Sequence, residues 1–251
     1  MRILGCDISS YQGENVDFIK MEDAGAKYVI LRKQIGYLGD GTFFHNLNEV
    51  VTKTHMKVGA YGALFPGYDV TRQYAKFIEG ISPSDLDFPP FADIERKTGI
   101  AAIQGKSKNI AAALQYLFAL KGWYGDAVPY TAKFVWESFY SSKAGWIDDW
   151  DLFVANYRNA QEPYYIPHGW EERLDGTPVA IPDSYAVWQF SADGNLRGPE
   201  FGVQSASIDL DLMHQWFWDK HIVPEPPSGD KPNVIVSYNP EKVNLIINEV
   251  I

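Results

Sequence analysis

The chain is poor in cysteine, short of positive charge and without a long apolar run, and each shortage closes a class of function. A single cysteine, Cys6, among 251 residues rules out an internal disulfide. It stands in an apolar stretch, as a small buried hydrophobe does. Lys and Arg number 22 against 32 Asp and Glu, for a net charge of −10 and a pI near 4.9. With nothing to neutralise a run of phosphates, nucleic acid is excluded as a partner. No stretch reaches the ~18 apolar residues of a membrane span. Met1-Arg2-Ile3-Leu4-Gly5 enters a strand-like run at once, without the apolar core of a secretory leader. A target outside the cell would then need another agent of delivery, or a leader lost from this chain.

Familiar catalytic inventories are missing too. The five His, at 45, 55, 168, 214 and 221, show no His-x-His or His-Glu-x-x-His spacing, so neither a metal centre nor another cofactor is expected. Ser9-Ser10 lacks a Gly-x-Ser-x-Gly elbow, and Cys6 lies within a strand rather than at a helix start, which leaves no activated nucleophile of those kinds. Gly36-Tyr-Leu-Gly39-Asp-Gly41 bears glycines without the pattern of a phosphate loop.

What is present is a globular composition, 46% hydrophobic and 22% charged, with an aromatic share of 15% that includes 8 Trp and 15 Tyr. Aromatics beyond the needs of a core suit a flat ligand such as a sugar, although most will fill the core itself. The length fits one α/β barrel domain. Strand-like runs at 2–8, 28–32, 57–62 and 88–95 alternate with helical segments at 16–25, 43–54, 70–79 and 108–123, the signature of a parallel sheet with crossover helices. Further strands are expected at 127–130, 152–156, 185–190 and 206–210, joined after Trp146 by loops rich in Tyr, Pro and Gly. The expected fold is therefore a β/α barrel, regular in its first half and depleted of helices in its second. Residues 222–232 have the composition of a stiff Pro-rich linker. They separate a catalytic-sized domain, 1–221, from a β-prone tail, 233–251, too short for its own core. The tail must pack on the barrel, pair with another copy or stand in for a further module.

The run Phe88-Pro-Pro-Phe91-Ala92 ends on Asp93-Ile94-Glu95. Side chains at i and i+2 of a strand share a direction, so Asp93 and Glu95 face one space, and crowding pushes one of two such carboxyls toward a raised pKa and a role as general acid. Taken alone, Asp-x-Glu is common, and a solvated strand end before Arg96 and Lys97 is the bland alternative. The other strand ends alter the balance. In a parallel barrel the catalytic groups gather where strands end, and those ends carry Asp7, Arg32, Tyr61, Tyr130, Asn156-Tyr157, Trp188-Gln189 and Asp209. Each has a structural alternative: Asp7 can cap the following turn, Asp209 or Asp211 can cap a helix, the tyrosines can be core, and Trp188 can be wall. Jointly they predict a cleft of four acids ringed by aromatics and amides.

In order along the chain, Gly5-Cys-Asp7-Ile-Ser9-Ser-Tyr-Gln12-Gly13, Tyr28-Val-Ile-Leu-Arg32, Val58-Gly-Ala-Tyr61, Asp93-Ile-Glu95, Pro129-Tyr-Thr131, Phe153-Val-Ala-Asn-Tyr157, Val187-Trp-Gln-Phe190 and Ile208-Asp-Leu210 resemble the family-25 glycoside hydrolases, the Chalaropsis-type muramidases, over about residues 3–218. The resemblance implies an irregular, flattened TIM-like β/α barrel. It implies cleavage of the β-1,4 bond between N-acetylmuramic acid and N-acetylglucosamine in peptidoglycan, with retention. Carried over, Glu95 would be the general acid/base and Asp93 would assist the substrate N-acetyl group. Asp7 and Asp209 would complete the acidic ring, and Tyr61, Tyr130, Tyr157 and Gln189 would hold the sugar, with Arg32 and Trp188 beside them. Two departures lie on the rim: Lys33-Gln34-Ile35-Gly36 replaces the family's usual Ala-Thr-Glu-Gly, and Tyr61-Gly62-Ala63 its Tyr-His-Phe. The rival readings are a chitinase-like hydrolase, disfavoured by Phe88 and Phe91 where such enzymes carry acids, and a non-catalytic carbohydrate-binding or phage structural barrel. With no leader, a phage lysin is favoured over a bacterial remodelling enzyme, its partner being the glycan strand of the wall and its oligomeric state open to the tail.

Overall fold

The computed structural model describes residues 1–95, 104–142, 145–157, 185–192 and 194–222. Its strands are β1 (Arg2–Ile8), β2 (Tyr28–Ile35), β3 (Leu38–Gly39), β4 (Lys57–Ala63), β5 (Phe91–Asp93), β6 (Val128–Ala132), β7 (Leu152–Ala155), β8 (Tyr185–Ser191) and β9 (Asp209–His214). Strand order is β1-β9-β8-β7-β6-β5-β4-β2-β3, and an additional β1–β2 pairing closes all but β3 into a barrel. Closure removes the open edges that would otherwise template pairing. Between the strands run α1 (Phe18–Asp23), α2 (Phe43–Lys53), α3 (Val70–Ile78) and α4 (Lys106–Tyr124), and after β6 come the three-residue α5 (Lys133–Val135), a π-helical turn at Trp136–Tyr140 and finally α6 (Gln215–His221). Helix content does thin out after α4 among the described residues.

Local chemistry explains the starts and stops. The Asp17 carboxylate accepts from Lys20 N at the start of α1, and Asp69 does the same from Arg72 N at α3. Helix α4 stops at Gly125, whose φ of 106° suits glycine. Helix α3 buries Val70, Gln73 and Phe77, one stripe at helical spacing.

Alternation along the strands splits the core in two. On β2, Val29 and Leu31 pack outward against the helices, while Tyr28 and Ile30 fill the barrel with Phe91, Val128, Phe153, Val187 and Met213. Tyr28 crosses that interior over Gly5, where any Cβ would come within 2.4 Å of the ring.

One expectation is corrected. The sheet is not wholly parallel: β9 runs antiparallel to both β8 and β1. An antiparallel neighbour needs no crossover helix, and short 3-10 turns at Gly194–Leu196 and Gly198–Phe201 make up the regular structure between β8 and β9. Asp209 therefore begins its strand instead of ending it. Because the strand is reversed, that start falls opposite Asp7, on the rim where the parallel strands end. Neither Asp209 nor Asp211 caps a helix; both lie within β9, and His214 precedes α6. The linker and tail expected beyond Ile222 lie outside the described residues.

Candidate active site

At the C-terminal rim an open cleft encloses about 600 Å³, its solvent-filled mouth included. Asp7, Asp93, Glu95 and Asp209 line it together with Tyr61, Tyr130, Tyr157 and Gln189. Phe91 and Phe153 also line it, packed edge to face at 5.6 Å and 77°, and Ala192 completes the wall. The two phenylalanines are members that sequence reasoning missed. Phe91 was findable as the residue two before Asp93, on the same face.

Asp93 is the last residue of β5, and Glu95 lies just beyond the strand. The Asp93 carboxylate accepts the Glu95 backbone N–H at 3.0 Å, and Ile94 N–H bonds the Tyr130 carbonyl at 3.0 Å. These bonds carry the chain past the strand end while both acids still reach the cleft.

Gln189 organises the opposite wall. Its Oε1 accepts the hydroxyls of Tyr130 and Tyr157, each at 2.8 Å, and its Nε2 donates to Asp7 Oδ2 at 2.5 Å. Gln189 is 3% exposed and Asp7 8%. Burial raises the Asp7 pKa from 3.8 to about 7; the Gln189 bond pulls it down, the Asp93 charge pushes it up and Arg32 pulls it down. Burial and the nearby Glu95 charge hold both tyrosine hydroxyls well above their usual range, so they remain proton donors. Asp7 is no turn cap. The turn after β1 is closed by Ser9 Oγ, which accepts Tyr11 N–H at 3.2 Å, and by Gln12 Oε1, which accepts Ser9 N–H at 2.9 Å.

Two expected members stand elsewhere. Trp188 is wholly buried in the outer core and donates Nε1–H to the Asn156 carbonyl at 2.8 Å. It neighbours Gln189 on a strand, so one of the two must face away from the barrel interior. Arg32 lies inside β2, before a bulge between Arg32 and Gln34, and does not line the cleft. Its Nε donates to Asp40 Oδ2 and its Nη2 to Ser10 Oγ, both at 2.7 Å. Asp40 also accepts Ser10 N–H and Thr42 N–H, each at 3.0 Å. Against the upward push of burial, these bonds and Arg32 hold its pKa below the ordinary value. Arg32 thus ties the loop after β1 to the loop after β3.

Among the described residues the cluster with metal-ligand spacing is Asp126, Asp151 and His221. There the Lys220 ammonium already bridges both carboxylates at 2.8 and 2.7 Å.

An α/β barrel with a carboxylate-rich, aromatic-walled cleft at this rim defines an enzyme of the sugar-hydrolysing class. The sequence profile of the glycosyl hydrolases family 25 matches residues 6–199, and the chain belongs to that family. It is a glycoside hydrolase. Solved structures with the same fold include a family 25 lysozyme from Aspergillus fumigatus, 20% identical, TM-score 0.66, covering 85% of this chain and 94% of its own. A bacterial lysozyme from Streptomyces coelicolor is 18% identical, with TM-score 0.67 over 85% of this chain and 93% of that one. The catalytic domain of an endolysin from bacteriophage P40 of Listeria monocytogenes is 18% identical, with TM-score 0.59 over 88% and 97%. No curated protein matches the chain in sequence.

Proposed function

We propose that this chain is a lysozyme of the muramidase type, cleaving the β-1,4 bond between N-acetylmuramic acid and N-acetylglucosamine in peptidoglycan with retention. The observation that carries the reading is the convergence of Asp93 and Glu95 on one aromatic-walled cleft. Family membership and the lysozymes among the structural neighbours support the substrate class.

Glu95 donates its proton to the leaving glycosidic oxygen while the substrate's own acetamide oxygen attacks the anomeric carbon. The bond to the leaving sugar breaks and a cyclic cation remains. Asp93 orients the acetamide N–H and balances that charge. Glu95 then takes a proton from water, whose oxygen opens the ring from the face the leaving group vacated, so configuration is retained. Two acids two residues apart reach the sugar from the same side, which suits substrate assistance better than a protein nucleophile opposite the acid. Tyr61, Tyr130, Tyr157 and Gln189 hold the sugar in this scheme, and Asp7 and Asp209 complete the acidic ring. Such a protein acts at the bacterial wall, and the Listeria phage endolysin among its neighbours favours a lysin.

Glu95→Gln should abolish the clearing of purified peptidoglycan suspensions, a loss of at least about 10²-fold, while leaving the melting temperature unchanged. Wild-type activity in that variant would refute the assignment. The sugar at the newly formed reducing end separates muramidase from glucosaminidase and chitinase-like readings, and a wild-type chain that binds but never cuts would establish the non-catalytic alternative.

A further inference from the structure

The loops after β2 and β4 carry a row of aromatic side chains outside the cleft. Phe65 and Tyr68 lie with ring centroids 5.6 Å apart at 36°, and Tyr68 and Tyr37 at 5.3 Å and 38°. Tyr68 is 47% exposed, and Tyr37 and Phe65 are half-buried. The Arg72 guanidinium flanks the row, 4.7 Å from the Tyr37 ring centroid.

Hydrogen bonds anchor the base of this row on both loops. Gly36, at φ 58°, turns the chain beneath Phe65, whose ring a Cβ would meet at 2.8 Å. The Gly36 N–H bonds the Ala63 carbonyl at 2.9 Å. Tyr37 hydroxyl oxygen accepts the Asp69 N–H at 2.7 Å. Gln73 clamps Phe65 twice, its Oε1 accepting the N–H at 2.7 Å and its Nε2 donating to the carbonyl at 2.9 Å. Rings held in this way lose little freedom when a ligand lands on them.

Register ties the row to the cleft. Ala63 is the strand partner of Asp93, Leu64 N–H bonds the Asp93 carbonyl at 2.9 Å, and Phe65 is the next residue. With neighbouring strands ~4.8 Å apart, the β2 loop stands about 10 Å across the rim from Asp93, a span that a few sugar rings cover.

We propose that Tyr37, Phe65 and Tyr68 form a further glycan subsite, gripping the sugar polymer by its apolar ring faces a few residues away from the bond being cut. The identity of that polymer rests on the muramidase reading. The row stands just after the rim segments 33–36 and 61–63. Because its ligand is the strand already threaded through the cleft, it acts by effective concentration: the second grip is intramolecular and adds affinity only for strands long enough to span both.

The test compares peptide-free glycan strands with a tetrasaccharide of the same sugars, for wild type, Tyr68→Ala and Tyr68→Phe. Tyr68→Ala should raise the half-saturating concentration of long strands roughly three- to tenfold, with a clearly smaller effect on the tetrasaccharide and no change in kcat. Tyr68→Phe, which keeps the stacking face, should restore wild-type behaviour. Equal effects on long and short substrates, no effect on either, or an effect seen only when stem peptides are attached would each overturn the subsite. Should wild type cut neither substrate, the muramidase reading fails by itself, and calorimetric binding of the long strands then decides the subsite: equal affinities for wild type and Tyr68→Ala overturn it.

Discussion

At the heart of the cleft a single amide, Gln189, meets two phenols and a carboxyl, and its two ends impose opposite roles on them. Because Oε1 is taken by Tyr130 and Tyr157, Nε2 is left to face Asp7, and a donor there stabilises the ionised acid. Burial opposes that and wins, leaving the Asp7 pKa at about 7 in place of 3.8. The folded state therefore holds more protons than the unfolded chain between those two values. Stability falls as pH rises through that window and is fully retained below it. Asp7→Asn removes the group from the balance and eases the buried Asp211, whose own proton affinity Asp7 raises. Melting curves at about pH 4.5 and 7.5 should show wild type losing more stability than Asp7→Asn over that interval, by several degrees. An identical loss in both proteins would show that Asp7 titrates as an exposed acid does. That Asp93 and Glu95 line one cleft was legible in the sequence, because side chains two apart at a strand end share a direction. Trp188 was misplaced by the same rule that placed Gln189, since adjacent residues of one strand face opposite sides.

Among the elements, β2 shows how local irregularity serves the site. The bulge after Arg32 and the short arm β3 bring Asp40 within reach of Arg32, and the loop after β1 is secured to both through Ser10. Arg32→Ala strips one charge-assisted partner from an Asp40 side chain that is wholly buried. Asp40 keeps its bonds from Ser10 N and Thr42, so the expected cost is about 2 kcal/mol rather than the full penalty of an orphaned ion. Chemical denaturation measures it, and a change below about 0.5 kcal/mol would show the tie to be incidental. The expected strand at 2–8 matches β1 over its whole length at Arg2–Ile8, whereas the run 88–95 narrows to Phe91–Asp93 and the run 206–210 shifts to Asp209–His214. Helices α2 and α3 end within a residue or so of their expected limits. The direction of β9 was not legible, because alternation is the same read forwards or backwards and only its neighbours β8 and β1 set it.

For the molecule as a whole, eight strands close on one another among the described residues, β1 pairing with both β9 and β2, and α6 follows the last of them. A chain cut after His221 should therefore keep the melting temperature and the oligomeric state of the intact chain, as calorimetry and light scattering would show. A loss of about 5 °C or more, or a change of mass beyond the deleted residues, would mean that residues 222–251 complete the barrel or hold copies together. The sequence by itself determined the alternation of strands and helices, the acid pair and most of the groups that ring it, since hydrophobic period and strand-end chemistry are written residue by residue. Tertiary structure alone decided that Asp209 reaches the rim from a reversed strand, that Arg32 braces loops outside the cleft, that Phe153 lines it, and that Tyr37, Phe65 and Tyr68 stand in one row. Each of these depends on which distant segments become neighbours, and that is fixed by barrel closure and packing, which no local pattern encodes.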